Sequence, residues 1–259
     1  MIAGIFHQGS GLGNQLFRYI TTRVLALDKG YDFGMTEAND PSGKEMGFKG
    51  MSFMKLDMGK AVEDWKMDQY GYDRYKKFNE KKIVENGVDI RGYDPEINFV
   101  EDNTIIDGEF QDERYWGHRL PEIREWLKVE PLGIGEDVCV INFRGGEFSL
   151  YPDLFLTKEY WLEAMARIDR EGMRYEVHTD DPIKAKEFFP NLPIIHDIGL
   201  NWRSIRHTKY LILSNSSFAI LPALLNENVK EIIAPRYWGR RNIKVWSTPQ
   251  NYYKKFTYI

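Results

Sequence analysis

The chain has 259 residues, 42% hydrophobic and 14% aromatic, enough apolar surface for one large α/β domain or two smaller ones, which argues against a disordered chain. Its formal net charge of -4 argues against nucleic acid as the main partner. The single cysteine, Cys139 in the apolar run VCVINF, excludes a disulfide framework and points to a reducing compartment, with Cys139 itself a buried small residue.

The first element is the apolar run IAGIF, residues 2–6, which reads as a buried strand. A glycine loop follows, Gly9-Ser10-Gly11-Leu12-Gly13, closed by Asn14-Gln15. Leu16, Phe17, Ile20, Val24 and Leu27 then recur at helical spacing, and Lys29-Gly30 is a stop signal. Strand, glycine turn and helix together open a doubly wound sheet. The G-x-G-x-G spacing fits neither the dinucleotide fingerprint nor the Walker A loop. What it does supply is backbone free of Cβ crowding at a helix N-terminus, where a phosphate or a sugar hydroxyl can approach. The adjacent amides of Asn14 and Gln15 suit a polyhydroxylated ligand, and equally suit helix capping.

Residues 35–85, rich in Met, Lys, Asp and Gly, show weak periodicity and read as an irregular insertion, either lining a substrate site or solvated. Regularity returns with NTIIDGEFQ (103–111), then a helical stretch carrying Trp116, Leu120, Ile123 and Leu127. Pro131-Leu132-Gly133-Ile134-Gly135 reads as a linker. Beyond it strands and helices alternate: VCVINFR, KEYWLEAMARI, MRYEVHT, PIKAKEFF, PIIHD, a helical patch over Ser204–Lys209, YLILSN, SFAILPALL and EIIAP. Repeated βα units predict parallel sheets with helices on both faces. The expected fold is therefore α/β, with Rossmann-like halves over 1–130 and 136–259 and a cleft between them.

Several strand ends carry chemistry. Arg144 ends a predicted parallel strand, where open α/β sheets collect ligands. Its guanidinium suits two phosphate oxygens and a departing diphosphate, and Gly145-Gly146 leave room for a phosphate. Asp180 and Asp181 end the next strand. Asp181-Pro182 is a helix start, which assigns the cap to Asp181 and leaves Asp180 as the candidate nucleotide ligand. Ser216-Ser217-Phe218 form a second phosphate anchor at a strand-to-helix turn, or a simple N-cap, and Pro222 implies a kink in the helix that follows. The aspartates lack DxD spacing, and His118, His178, His196 and His207 show no metal spacing, so no metal is expected. RYWGRRNIKVW (236–246) is a basic, aromatic stretch that suits an acidic glycan, a membrane surface or a solvated face. No apolar run approaches the ~20 residues of a membrane span, and MIAGIFHQ lacks the basic start of a signal peptide. The expected location is cytoplasmic.

Quoted together, GLGNQLF (11–17), DGEFQDERYW (107–116), INFRGGEF (141–148), VHTDDP (177–182) and LSNSSFAILPALLN (213–226) resemble the GDP-fucose-dependent α-1,2-fucosyltransferases, and more distantly the α-1,6 and protein O-fucosyltransferases. The blocks keep the family's order along nearly the whole chain, and GLGNQLF is the most specific. The resemblance implies a GT-B-like fold and inverting, metal-independent transfer of a sugar from a GDP-sugar to a glycan acceptor, with the donor held mainly by the C-terminal half. It implies donor-binding roles for Gly11, Gly13, Asn14, Gln15, Asn142, Arg144, Asp180, Asp181, Ser216, Ser217 and Phe218. Arg144 matches the family's diphosphate-binding arginine, and the Asp180-Asp181 pair its guanine- or ribose-binding aspartate.

The family's H-x-R-R-x-D reads Asn142-Phe143-Arg144-Gly145-Gly146-Glu147 here, and its paired tryptophans after the serine turn are replaced by Ala219-Ile220-Leu221. Inverting transfer needs a base for the acceptor hydroxyl and charge stabilisation for the leaving GDP. Arg144 is the candidate for the second role. Glu147 and Glu109 are the candidates for the first, with His7 a third. Two rival classes stand beside this reading: a nucleotide- or sugar-binding relative without turnover, favoured by the altered arginine motif, and a dinucleotide-dependent oxidoreductase, disfavoured by Asn14 where a glycine belongs.

Overall fold

All five residues of strand β1 (Ile2–Phe6) are buried, as expected for a strand covered on both faces in a parallel sheet. The computed structural model describes residues 1–7, 10–37, 53–62, 75–85, 88–244 and 252–259. They form two compact units, Met1–Lys128 and Val129–Ser247 with Tyr252–Ile259.

In the first unit, helix α1 (Leu12–Lys29) returns the chain from β1 to the parallel strand β2 (Phe33–Glu37). The helix begins after Gly11 and ends at Gly30, which is left-handed at φ 68°, as the Lys29-Gly30 signal predicts. Leu16, Phe17, Ile20 and Val24 are buried, whereas Leu27 is exposed, the last turn having run past the core. Strands β3 (Lys76–Asn79) and β6 (Thr104–Asp107) complete a sheet of order β2-β1-β6-β3, parallel throughout. Strands β4 (Lys82–Glu85) and β5 (Val88–Arg91) pair separately as an antiparallel ribbon.

This corrects the reading of 35–85 as irregular. Residues 38–52 and 63–74 lie outside the described residues, but Lys76–Asn79 is a sheet strand. Its sequence, KKFN, is exposed along most of its length at the sheet edge, so backbone pairing to β6 specifies it rather than an apolar pattern. Residues 58–60 also run along the outer side of β2, with Lys60 N donating to Phe33 O at 2.8 Å and Met35 N to Met58 O at 3.0 Å.

The expected helix around Trp116 is divided. Glu113–Tyr115 and Gly117–Arg119 are 3-10 turns, and α2 (Leu120–Trp126) starts only at Leu120. Pro121 sits at the helix start, the position where a proline ring and missing N–H are tolerated.

The second unit is a parallel sheet of order β12-β11-β10-β7-β8-β9, comprising β7 (Val138–Phe143), β8 (Arg174–Thr179), β9 (Ile194–Ile195), β10 (Tyr210–Leu213), β11 (Glu231–Ala234) and β12 (Thr257–Tyr258). Helices α3 (Lys158–Ile168), α4 (Pro182–Phe188), α5 (Ile198–His207) and α6 (Ser217–Leu225) connect it. The core gathers Ile141, Phe143, Tyr160, Trp161 and Ile212 around Cys139, whose thiol is pushed up by burial and is inert packing. Pro222 lies inside α6 as read from sequence. The linker is tied to its unit by Arg203, which donates to Glu130 O at 2.9 Å and Pro131 O at 3.0 Å.

Each sheet has a central strand from which the chain departs on one side and to which it later returns on the other: β1, between β2 and β6, and β7, between β8 and β10. The carboxyl ends of such strands are where open parallel sheets bind ligands. The residues beyond β1 and β6, and beyond β7 and β10, are therefore the places to look.

Trp116 and Trp161 are both fully buried, but only Trp116 has a partner for its indole N–H, Phe110 O at 3.0 Å; that of Trp161 has none among the described residues. Trp116→Phe should therefore cost about 1–3 kcal/mol more than Trp161→Phe, because it strands a buried carbonyl. Urea unfolding of the two variants measures the difference.

Candidate functional site

Beyond β1, the side chain of Gln15 grips the backbone of His7 on both sides. His7 N donates to Gln15 Oε1 at 3.2 Å, and Gln15 Nε2 donates to His7 O at 2.5 Å. Gln15 is buried and ties the residue that follows β1 to the first turn of α1. Asn14 Oδ1 accepts from Gln111 Nε2 at 3.0 Å, joining the start of α1 to the segment after β6. Neither amide caps the helix; the cap position is Gly11, without a side-chain bond. Gly11 faces open space, with nothing within 4 Å of where a Cβ would stand, and Gly13 is buried in the first turn. Gly9 lies outside the described residues.

The imidazole of His7 meets a carboxylate that the sequence reading did not single out. His7 Nε2 lies 2.9 Å from Asp107 Oδ1 at the end of β6. The same oxygen accepts from Arg18 Nη1 on α1. Arg18 is buried, while the side chains of His7 and Asp107 are 36% and 32% exposed, so the pair is half open to solvent while its cation is enclosed. Burial works to raise the Asp107 pKa, but the hydrogen bonds from His7 and Arg18 outweigh it and hold the carboxyl below its usual value. The legible signal for Arg18 was a cation amid the apolar face LFRYI.

Glu109 follows in a turn moulded on Glu80, whose Oε2 accepts from Glu109 N at 2.7 Å and Phe110 N at 3.2 Å. A side chain at Gly108 would stand 2.5 Å from Glu80 Cβ, and Phe110 is left-handed at φ 50°. Glu109 itself is partly buried.

Arg144 lies just beyond β7, as expected. Its Nη1 is 2.5 Å from Asp180 Oδ2, its Nη2 donates to Glu147 Oε1 at 2.9 Å, and its guanidinium lies over the Phe148 ring. Asp180 Oδ1 accepts from Gly145 N at 2.9 Å. The room at Gly145-Gly146, read from sequence as space for a phosphate, is thus used by carboxylates. A Cβ on Gly145 would stand 2.6 Å from that of Asp181, and one on Gly146 2.5 Å from Asp180 Oδ2. Asp181 caps α4 as predicted, accepting from Lys184 N at 2.9 Å. Asp180 is the counter-ion of Arg144 in this structure, with both oxygens engaged. Arg144 keeps a buried Nε with no partner among the described residues.

At the β7–β10 switch, buried Asn142 accepts from Ser214 Oγ at 2.9 Å, and Ser214 N donates to Asn142 O at 3.0 Å. Ser214 was missed in the sequence reading because it adds nothing to the strand pattern. Ser216 holds the cap position of α6 without a side-chain cap bond, Ser217 opens the helix, and Phe218 packs edge-on against Trp202 at 5.7 Å. His178 is buried against Asn201 Oδ1 at 3.0 Å, and burial pushes its pKa down, which keeps it neutral.

In the basic stretch, of which 245–246 lie outside the described residues, Arg241 is turned onto Tyr160 and Ile259 O. No described helix is long and apolar enough to cross a membrane, and no metal-holding group occurs among the described residues. Arg144, Glu147 and Asp180 are thus brought together in the second unit, while His7, Asn14, Gln15 and Glu109 lie at the β1 and β6 ends of the first. No family model matches the chain, and no curated protein matches it significantly.

The lowered carboxyl of Asp107 makes stability depend on pH. Its contribution is full above the unfolded value of about 3.9 and is lost as pH falls through the lower folded value. Asp107→Asn should flatten that acid limb, read as the change in melting temperature between about pH 2 and pH 6. Gly146, at φ 33° with Asp180 against it, should tolerate Ala poorly, at a cost of about 1–3 kcal/mol in urea unfolding.

Proposed function

We propose that the chain is an inverting, metal-independent glycosyltransferase that moves a sugar from a GDP-sugar, with fucose the sugar implied by the family resemblance, to a hydroxyl of a glycan acceptor. The observation that carries the reading is Arg144 at the carboxyl end of the central strand of the second unit, partly exposed and aligned by Asp180 and Glu147. A guanidinium so placed offers paired donors to a diphosphate and offsets the charge that grows on departing GDP. The α6 start at Ser216 and Ser217 supplies further donors beside the same sheet end. The proposal assigns the donor to the second unit and the acceptor to the first, in the GT-B-like arrangement that the resemblance implies. In it Asp180 orients Arg144; the guanine-binding role would require Asp180 to release Arg144 first.

The reaction is one displacement at the anomeric carbon. The bond to the diphosphate oxygen breaks with its electron pair leaving on GDP, the acceptor oxygen forms the new bond, and the acceptor proton passes to a base. A second reading, a nucleotide- or sugar-binding relative without turnover, is favoured by the two carboxylates on Arg144, which compete with a diphosphate for it.

Calorimetric titration with GDP, UDP and NAD tests the reading. GDP should bind most tightly, and Arg144→Ala should weaken it about ten- to a hundredfold, the 1.5–3 kcal/mol worth of a charged hydrogen bond. Preference for NAD, or GDP binding untouched by the substitution, would refute it. Tight GDP binding with no release of GDP from GDP-fucose in the presence of acceptor glycans would favour the binding-only relative.

A further inference from the structure

The geometry points to His7, oriented by Asp107, as the general base that takes the acceptor proton. The inference rests on the glycosyl-transfer reading and goes beyond it by choosing among carboxylates and imidazole. Three observations carry it. His7 and Asp107 end the adjacent strands β1 and β6 at the switch point of the first sheet, so the pair stands where ligands of such sheets collect. The imidazole is restrained by Gln15 on its backbone and by Asp107 on Nε2. It is also partly exposed, and no described residue bonds its other nitrogen.

The tautomer follows from the charges. Asp107 is held ionised, and its Oδ1 already accepts from Arg18. A carboxylate can only accept, so Nε2 must carry the hydrogen. That leaves Nδ1 with its lone pair free to receive a proton. A base oriented by a carboxylate on its far nitrogen is the arrangement that activates hydroxyls in acyl transfer. Here the hydroxyl proton moves to Nδ1, its oxygen attacks the anomeric carbon, and the resulting imidazolium is stabilised by Asp107. Arg18, enclosed on α1, keeps Asp107 from protonating and becoming a donor. The charged groups set against His7 are Asp107 from β6 and Arg18 from α1, and the nearby Glu80 is engaged with the Glu109–Phe110 turn. Asp107, Arg18 and Gln15 are positioning residues; His7 alone touches the reacting hydroxyl. Glu109 and Glu147 lack this arrangement: the first sits on a backbone turn built around Glu80, and the second is paired with Arg144.

The test compares the unsubstituted chain with His7→Gln and Asp107→Asn, measuring GDP affinity by calorimetry and GDP release from GDP-fucose, with water or a glycan panel as acceptor, across about pH 5 to 9. His7→Gln should lower release about a hundredfold or more while GDP affinity stays unchanged, and should abolish the acid limb of the rate profile. Asp107→Asn retains the imidazole but frees its tautomer, and should lower release about tenfold or more at unchanged GDP affinity. Urea unfolding of each variant, followed by circular dichroism, reports that the first unit, which carries both substitutions, is folded. Release by His7→Gln within threefold of the unsubstituted chain, with the acid limb intact, would overturn the assignment while leaving the transferase reading standing. Absence of both GDP binding and release in the unsubstituted chain would overturn the transferase reading and this role with it.

Discussion

The oxygen Oδ1 of Asp107 takes hydrogen bonds from two side chains at once, an imidazole at the end of β1 and a guanidinium on α1. That shared acceptor joins the central strand, its neighbour across the switch point and the helix that crosses between β1 and β2. A carboxylate in a half-buried position survives only with such partners. Arg18, enclosed among the apolar residues of α1, depends on it in turn, because a buried cation without a counter-ion is far more costly than the pair. Gln15 adds to the same knot by fixing the backbone of His7, the residue whose ring Asp107 holds.

The second unit repeats the device with other residues. Arg144, beyond β7, is neutralised by Asp180, beyond β8, and Asp180 in turn fixes the Gly145 amide. In both units a carboxylate at the carboxyl end of a parallel strand aligns a nitrogen-bearing side chain from a neighbouring element. Parallel sheets covered on both faces leave polar side chains few other places to stand, because faces and strand interiors are apolar. Charge compensation therefore crowds into the same few strand-end positions. Asp180 shows this directly: one oxygen holds the Gly145 amide and the other the Arg144 guanidinium, which makes it a counter-ion in this structure.

Much of the frame was legible because it rests on local signals. The buried run of β1, the left-handed stop at Gly30, the start of α4 at Asp181-Pro182 and the span of α3 all follow from spacing and caps. What escaped was stabilised from elsewhere in the chain. The edge strand β3 carries no apolar pattern, and the segment around Trp116 has a helix-like periodicity but begins its α-helix only where Pro121 permits.

By itself the sequence determined the α/β class, the opening β1–glycine turn–α1 unit and most of the alternating strands and helices after Val138, because hydrophobic period and turn chemistry act over a few residues. It placed Arg144 at a strand end and named His7 as one candidate base. Only the tertiary structure decided which charges meet: residues 7, 18 and 107 are brought together by the parallel pairing of β1 with β6 and the seating of α1, and residues 144 and 180 by the pairing of β7 with β8. Hydrogen bonding is directional and short-ranged, so a partner a hundred residues away leaves no trace in local spacing.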